Sequence, residues 1–187
     1  MERGPKQVFA MLARLGLLQP AMNRYLFRKA IGFRGRVAAW RALGVSITDP
    51  VMIGPRVEIP VFPEKVSIDR GSRIGGQVTI LAWETVTIGR NVVLNGEILL
   101  LTGQHDVDSP IFAGQNAPIS IGDYAWLPLR IAVLPGVSIG HAAVVGVGSV
   151  VSHDVPQFAV VAGNPARVVK QRAKIAFEYE PATGKYG

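Results

Sequence analysis

The chain has 187 residues, 49% of them hydrophobic and 18% charged, with a net charge of +7 and no cysteine. That composition suits one packed domain, and the missing cysteine excludes disulfides, thiolate metal sites and a cysteine nucleophile. No apolar run reaches the roughly 18 residues of a membrane span, and charges at positions 2, 3, 6 and 14 interrupt the first twenty residues, so neither a span nor a signal peptide is expected and the chain reads as cytoplasmic.

The first 45 residues stand apart. Residues 1–41 hold nine Lys/Arg against the single acid Glu2, a local charge of +8, while the rest of the chain carries −1. Val8, Phe9, Leu12 and Leu15, then Met22, Leu26 and Phe27 beyond Pro20, have helical spacing. Residues 1–45 are therefore read as a basic amphipathic helical segment. Two compatible roles fit it. One is a cap over the open end of a stacked core, which a solenoid needs. The other is peripheral contact with an anionic membrane, since cations opposite apolar residues suit an interfacial helix; that would place the chain at the inner face of the membrane. The charge is not interleaved with a base-reading motif, so no nucleic-acid partner is expected.

Beyond residue 46 aliphatic residues recur every six positions. Ile53 and Ile59 open the frame, followed by Ile68, Ile74 and Ile80, then by Ile88, Leu94 and Leu100. It resumes at Ile121 and runs through Leu127, Val133, Ile139, Val145 and Val151. Neither an α-helix (period 3.6) nor an ordinary strand (period 2) has this spacing. It is the mark of a parallel β-helix, in which three short strands make one triangular coil of about eighteen residues. The predicted fold is mainly β: a hexapeptide-repeat solenoid over residues 46–170, with Gly (21) and Pro (13) supplying its corners. Residues 171–187 are read as a C-terminal tail.

From residue 101 to residue 118 the frame is lost. The offset from Leu100 to Ile121 is twenty-one residues, one coil and a little more, so this stretch is read as an excursion from the solenoid. Loops on rigid scaffolds carry function disproportionately. The segment runs L-T-G-Q-H-D-V-D-S-P-I-F, and of the three histidines only His105 lies in it, beside Asp106. Imidazole exchanges protons near neutral pH, so His105 is the candidate general base. Asp106 and Asp108 each fit two descriptions, an orienting carboxylate for that ring or a solvated loop acid. Trp83 and Asp108 are the candidates for lining an acceptor site, with structural packing the alternative for Trp83. His141 is read as a solvated turn residue. The offset of thirty-six residues from His105 to His141 does not match the close-spaced His pair of a β-helical metal enzyme, and no metal is expected.

Several motifs carry a resemblance. They are Thr102-Gly103-Gln104-His105-Asp106, Pro118-Ile119, Ile121-Gly122 with Trp126, Pro135-Gly136-Val137-Ser138-Ile139-Gly140, and Ala162-Gly163-Asn164-Pro165-Ala166. Over about residues 50–172 the chain resembles the hexapeptide-repeat acyltransferases, in particular the branch with the colanic acid biosynthesis acetyltransferases, and its basic N-terminal segment is similar too. The resemblance implies a left-handed β-helix, an exception to the usual right-handed crossover. It also implies a homotrimer with active sites between subunits, acetyl-CoA as donor and a saccharide hydroxyl as acceptor. His105 would be the base, with Asp106 beside it. Trp126, Leu129, Val147, Ser152, His153, Arg167 and Lys170 would lie along the coenzyme, Arg167 and Lys170 near its phosphates. The chain departs from the family on this side. Trp126-Leu127-Pro128-Leu129 is bulkier than usual and loses an N–H at Pro128, His153 stands where lysine is common, and Ile131 fills a position usually small. Gly75 matches an asparagine that assists catalysis in the galactoside and maltose branch. Pro128, Leu129 and His153 are the support for a second reading, a catalytically silent β-helix that serves as a scaffold or partner-binding protein.

Overall fold

The computed structural model describes residues 32–185. The helical spacing predicted between residues 8 and 27 falls outside the described residues.

The chain enters through helix α1 (Phe33–Ala42), which lies across the first coil with Val37 and Trp40 buried against it. Arg36 Nε donates to the Ile53 carbonyl at 2.7 Å, tying the helix to the first strands. The coils follow. The first comprises β1 (Ser46–Ile47), β2 (Met52–Ile53) and β3 (Val57–Val61); the second, β4 (Val66–Ile68) and β5 (Arg73–Leu81); the third, β6 (Val86–Ile88) and β7 (Val93–Leu101). A hairpin of β8 (Gly103–His105) and β9 (Gly114–Asn116) then leaves the stack. The fourth coil is β10 (Ile119–Ile121) and β11 (Trp126–Val133), and the fifth is β12 (Ser138–Ile139), β13 (Val144–Val145) and β14 (Val150–Val151). The last turn ends in β15 (Ala159–Gly163), on which β16 (Ala166–Gln171) folds back antiparallel.

The predicted parallel β-helix is the observed fold, and the hexamer frame is its register. On one face Ile68 pairs with Ile88, Ile88 with Ile121, and Ile121 with Ile139. On the second, Ile74 and Leu127 flank Leu94. On the third, Ile80, Leu100, Val133 and Val151 stack in order. All of these side chains are at most 2% exposed, so each coil seals its neighbours' aliphatic interior from water. Among the described residues the buried polar side chains are Ser72, Thr102 and Ser149, and each hydroxyl bridges backbone groups, Ser72 Oγ for example donating to the Gly89 carbonyl and accepting from Val92 N–H.

Corners repeat as regularly as strands. Arg56, Gln77, Glu97 and Arg130 share a left-handed backbone with Gly148 along one edge, and Asn91, Tyr124, Ala142 and Phe158 share it with Gly71 along another. A left-handed conformation disfavours non-glycine residues by about 1–2 kcal/mol each, offset here by hydrogen bonds between coils such as Tyr124 N to Arg90 O and Phe158 N to His141 O.

The tail is a strap. After Gln171 the chain turns back along the second of these edges, with Arg172 N on the Phe158 carbonyl at 2.7 Å. Phe177 stacks on Tyr124 at 5.3 Å, Tyr179 meets Tyr124 edge-on at the same distance, and Ala182 N reaches Gly71 O at 2.9 Å. It thus runs from the last coil to the second. His141 was expected to be solvated. Instead its ring lies among Tyr124, Phe158 and Phe177, half-buried under the strap.

Candidate active site

The excursion is built from its base upward. Thr102, fully buried, donates its hydroxyl to the Leu81 carbonyl at 2.9 Å and accepts from Glu84 N–H at 2.9 Å, so the last residue before the hairpin is anchored to the coil below. Gly103 follows because a Cβ there would come within 2.7 Å of the Trp83 ring. Trp83 packs on the hairpin base, edge-on to Phe62 at 5.7 Å, and keeps 45% of its surface exposed. Trp83 therefore packs against Phe62 and the hairpin base while nearly half of its surface stays open.

At the end of β8 stands His105, solvent-exposed. Its Nδ1 is 2.8 Å from the carbonyl oxygen of Phe112, and its ring stacks on the Phe112 ring at 4.3 Å with 5° between the planes. A carbonyl can only accept, so Nδ1 carries a proton, and in the neutral imidazole Nε2 is the nitrogen with the free lone pair. The ring-orienting role offered to Asp106 or Asp108 is filled within this chain by that carbonyl. Asp106 shapes the loop instead. Its N–H donates to Ala113 O, its carbonyl accepts from Ser109 N–H, and its Oδ1 accepts from Asp108 N–H at 3.0 Å. Three hydrogen bonds to one aspartate fix the turn that carries Phe112 back beside the imidazole, a turn in which Phe112 itself has φ +50. Sequence reading passed over Phe112 and Thr102.

The residues expected along a donor occupy the later coils. Leu129 and Val147 are exposed on adjacent coils, joined by the hydrogen bond from Gly148 N to Leu129 O at 3.1 Å. Pro128 is buried, between pairings of Leu127 with Leu94 and of Leu129 with Gly96. The bulk that reaches the surface is Leu129, and Ile131 is an interior residue opposite Ile98. His153, Asp154, Arg167 and Val168 line a cavity of about 260 Å³. Ser152 Oγ lies 2.9 Å from His153 Nδ1, and Arg167 bonds its own neighbour's carbonyl at Ala166. Lys170 is exposed on β16 opposite Val160.

Trp126 faces another cavity. With Val93, Asn95, Arg172 and Tyr179 it lines a space of about 290 Å³, partly roofed by the strap. Gly75 lies one coil below Asn95 on the same face. A Cβ at Gly75 would overlap the Asn95 carbonyl oxygen, so no asparagine can stand there without moving backbone, whereas Asn95 presents an exposed carboxamide one coil on. Among the described residues no three His, Asp or Glu side chains converge to hold a metal ion, and no helix is long and apolar enough to cross a membrane.

No family model matches the chain. Single relatives do. It is 35% identical over 142 residues, 76% of this chain and 78% of the relative, to a protein of Escherichia coli K12 named as the colanic acid biosynthesis acetyltransferase WcaF. It is 34% identical over 121 residues to the galactoside O-acetyltransferase of the same organism, covering 62% of this chain and 60% of the relative. Among solved structures, a hexapeptide-repeat-containing acetyltransferase of Vibrio cholerae complexed with acetyl coenzyme A superposes with a TM-score of 0.74 at 24% identity, over 88% of this chain and 87% of that one. A maltose O-acetyltransferase of Clostridium difficile gives 0.75 at 21% identity, over 89% of each. At those identities the structural likeness is one of fold.

Proposed function

Because the chain belongs to the hexapeptide-repeat acetyltransferases, we propose that it moves an acetyl group from acetyl-CoA to a hydroxyl of a saccharide, an exopolysaccharide or lipid-linked sugar, with His105 as general base. The observation that carries this reading is the hydrogen bond from His105 Nδ1 to the Phe112 carbonyl at 2.8 Å, which leaves Nε2 as the basic nitrogen. Nε2 takes the acceptor's proton as the hydroxyl oxygen bonds to the thioester carbon. Backbone N–H groups around the loop stabilise the oxyanion of the tetrahedral intermediate. When the intermediate collapses the C–S bond breaks, and the imidazolium returns the proton to the departing thiolate. No acyl-enzyme intervenes, since the chain has no cysteine and no serine flanks His105 in T-G-Q-H-D.

The donor lies along the later coils. Leu129 and Val147 give its pantetheine arm apolar contact, and Ser152, His153, Arg167 and Lys170 meet its phosphates. Trp83 and Asp108, beside the excursion, face the acceptor, and Asp106 holds the loop in shape for catalysis. The protein works as a homotrimer in the cytoplasm, one protomer's His105 loop facing a donor groove completed by its neighbour. Residues 46–170 form the acyltransferase domain. The basic segment 1–45 caps it and touches an anionic membrane surface near lipid-linked acceptors.

Titration calorimetry with acetyl-CoA tests the donor half. Saturable binding near one donor per protomer is expected, weakened about ten-fold or more by Arg167→Ala or Lys170→Ala. A folded protein that binds no acetyl-CoA would overturn the reading and leave a catalytically silent β-helix scaffold.

A further inference from the structure

The cavity beside Trp126 is compact. Its 290 Å³ sits at the lower edge of the roughly 300–1,000 Å³ usual for small-molecule sites, room for a single sugar ring. The lining is suited to one. Trp126, 44% exposed, and Tyr179 supply aromatic surface for the C–H face of a pyranose, and the Asn95 carboxamide can both donate to and accept from ring hydroxyls. Arg172 adds a positive charge. It is held by a hydrogen bond to the Ala142 carbonyl at 2.7 Å and by the Phe177 ring, 4.8 Å from its guanidinium carbon. Among the described residues no carboxylate pairs with it, so a cation faces a small, mostly apolar space without an ion-pair partner.

The geometry points to an acceptor subsite for an acidic sugar, in which Trp126 and Asn95 of the solenoid and Arg172 and Tyr179 of the C-terminal strap hold one uronic-acid unit of the saccharide. This rests on the saccharide-acceptor reading above and narrows it. It moves Trp126 from the donor, where the resemblance alone puts it, to the acceptor. It also gives the strap a role in recognition: Arg172 and Tyr179 line the cavity next to Phe177, whose ring packs against Tyr124 and His141. A carboxylate in this space meets a planar guanidinium whose remaining N–H groups can bind it as a fork.

The test is a ligand-observed NMR titration of the full chain with methyl β-D-glucuronoside, and with methyl β-D-glucoside as its neutral counterpart. The glucuronoside is expected to bind on the order of ten-fold tighter than the glucoside. Arg172→Gln should erase that preference and Arg172→Lys retain most of it. Trp126→Ala should weaken both sugars. Asn95→Ala, a change on the solenoid side of the cavity, should do the same and guards against a strap that merely unfolds. Equal binding of the two sugars, or binding indifferent to Arg172→Gln and Asn95→Ala, would overturn the assignment. So would a Trp126→Ala protein that loses affinity for acetyl-CoA and none for sugar. Calorimetry on the same samples separates the two failures. Donor binding without sugar binding removes this subsite alone; sugar binding without donor binding removes the acetyltransferase reading and leaves the subsite standing.

Discussion

His105 and Phe112 meet twice, ring on ring at 4.3 Å and through Nδ1 to carbonyl oxygen at 2.8 Å. The side chain and the backbone of one residue thus set both the tilt and the tautomer of the imidazole. The two contributions can be separated, because substitution removes only the ring. Phe112→Ala is expected to lower kcat by up to about ten-fold, the scale of one lost aromatic stack, while steady-state kinetics show the donor KM unchanged. A loss as large as that of His105→Ala would mean that the ring, not the carbonyl, holds the histidine.

Thr102 ties the excursion to the solenoid. Thr102→Val keeps the shape and deletes the hydroxyl that accepts from Glu84 N–H and donates to Leu81 O. Leaving that N–H unpaired should cost about 1–3 kcal/mol, read as a lower Tm, and kcat should fall further than stability alone explains because the base of the His105 hairpin is loosened. An unchanged Tm would show that the bridge contributes nothing.

Gly75 fits only as glycine. Gly75→Ala forces a Cβ into the Asn95 carbonyl, and a destabilisation of about 3 kcal/mol is expected by chemical denaturation, the upper range for overpacking. Gly75→Asn should be no better, so the asparagine used by the galactoside and maltose branch cannot be restored at this position.

The strap should matter for stability as well as for recognition. Phe177 touches Tyr124, His141 and Tyr179 and carries the Arg172 guanidinium over its ring. Phe177→Ala is expected to cost about 1–3 kcal/mol and to open residues 172–185 to limited proteolysis while the coils stay resistant. Equal protection of the tail in both proteins would show that the aromatic cluster does not hold it.

The solenoid was legible because its core is one-dimensional. A residue such as Leu94 packs on Ile74 and Leu127, its equivalents in the neighbouring coils, so spacing along the sequence translates directly into register. The excursion was legible as a break in that spacing, with His105 marked by its residue type. What surrounds His105 was not. Phe112 lies seven positions away and reaches the ring across a hairpin whose turn depends on three hydrogen bonds of Asp106. The carboxylate beside the histidine was the visible candidate for orienting it, and a backbone carbonyl leaves no mark in a sequence. The strap was hidden for a different reason. Residues 172–180 have no hexamer period and almost no regular secondary structure, and their aromatic side chains find partners at Tyr124 and His141, corner positions that look solvated when the coils are read alone. Asn95 was overlooked because the comparison with asparagine-bearing relatives points one coil away, to Gly75.

The proposed acetyl transfer depends on Nε2 of His105 taking a proton from a saccharide hydroxyl. The measurement that meets it most directly is acceptor-dependent release of free thiol from acetyl-CoA, followed spectrophotometrically over a panel of saccharides with the His105→Ala protein in parallel. Thiol release is expected to require both donor and sugar and to fall about 10²–10⁴-fold in His105→Ala, with donor affinity retained. Saccharide-dependent release at the same rate in both proteins would contradict it.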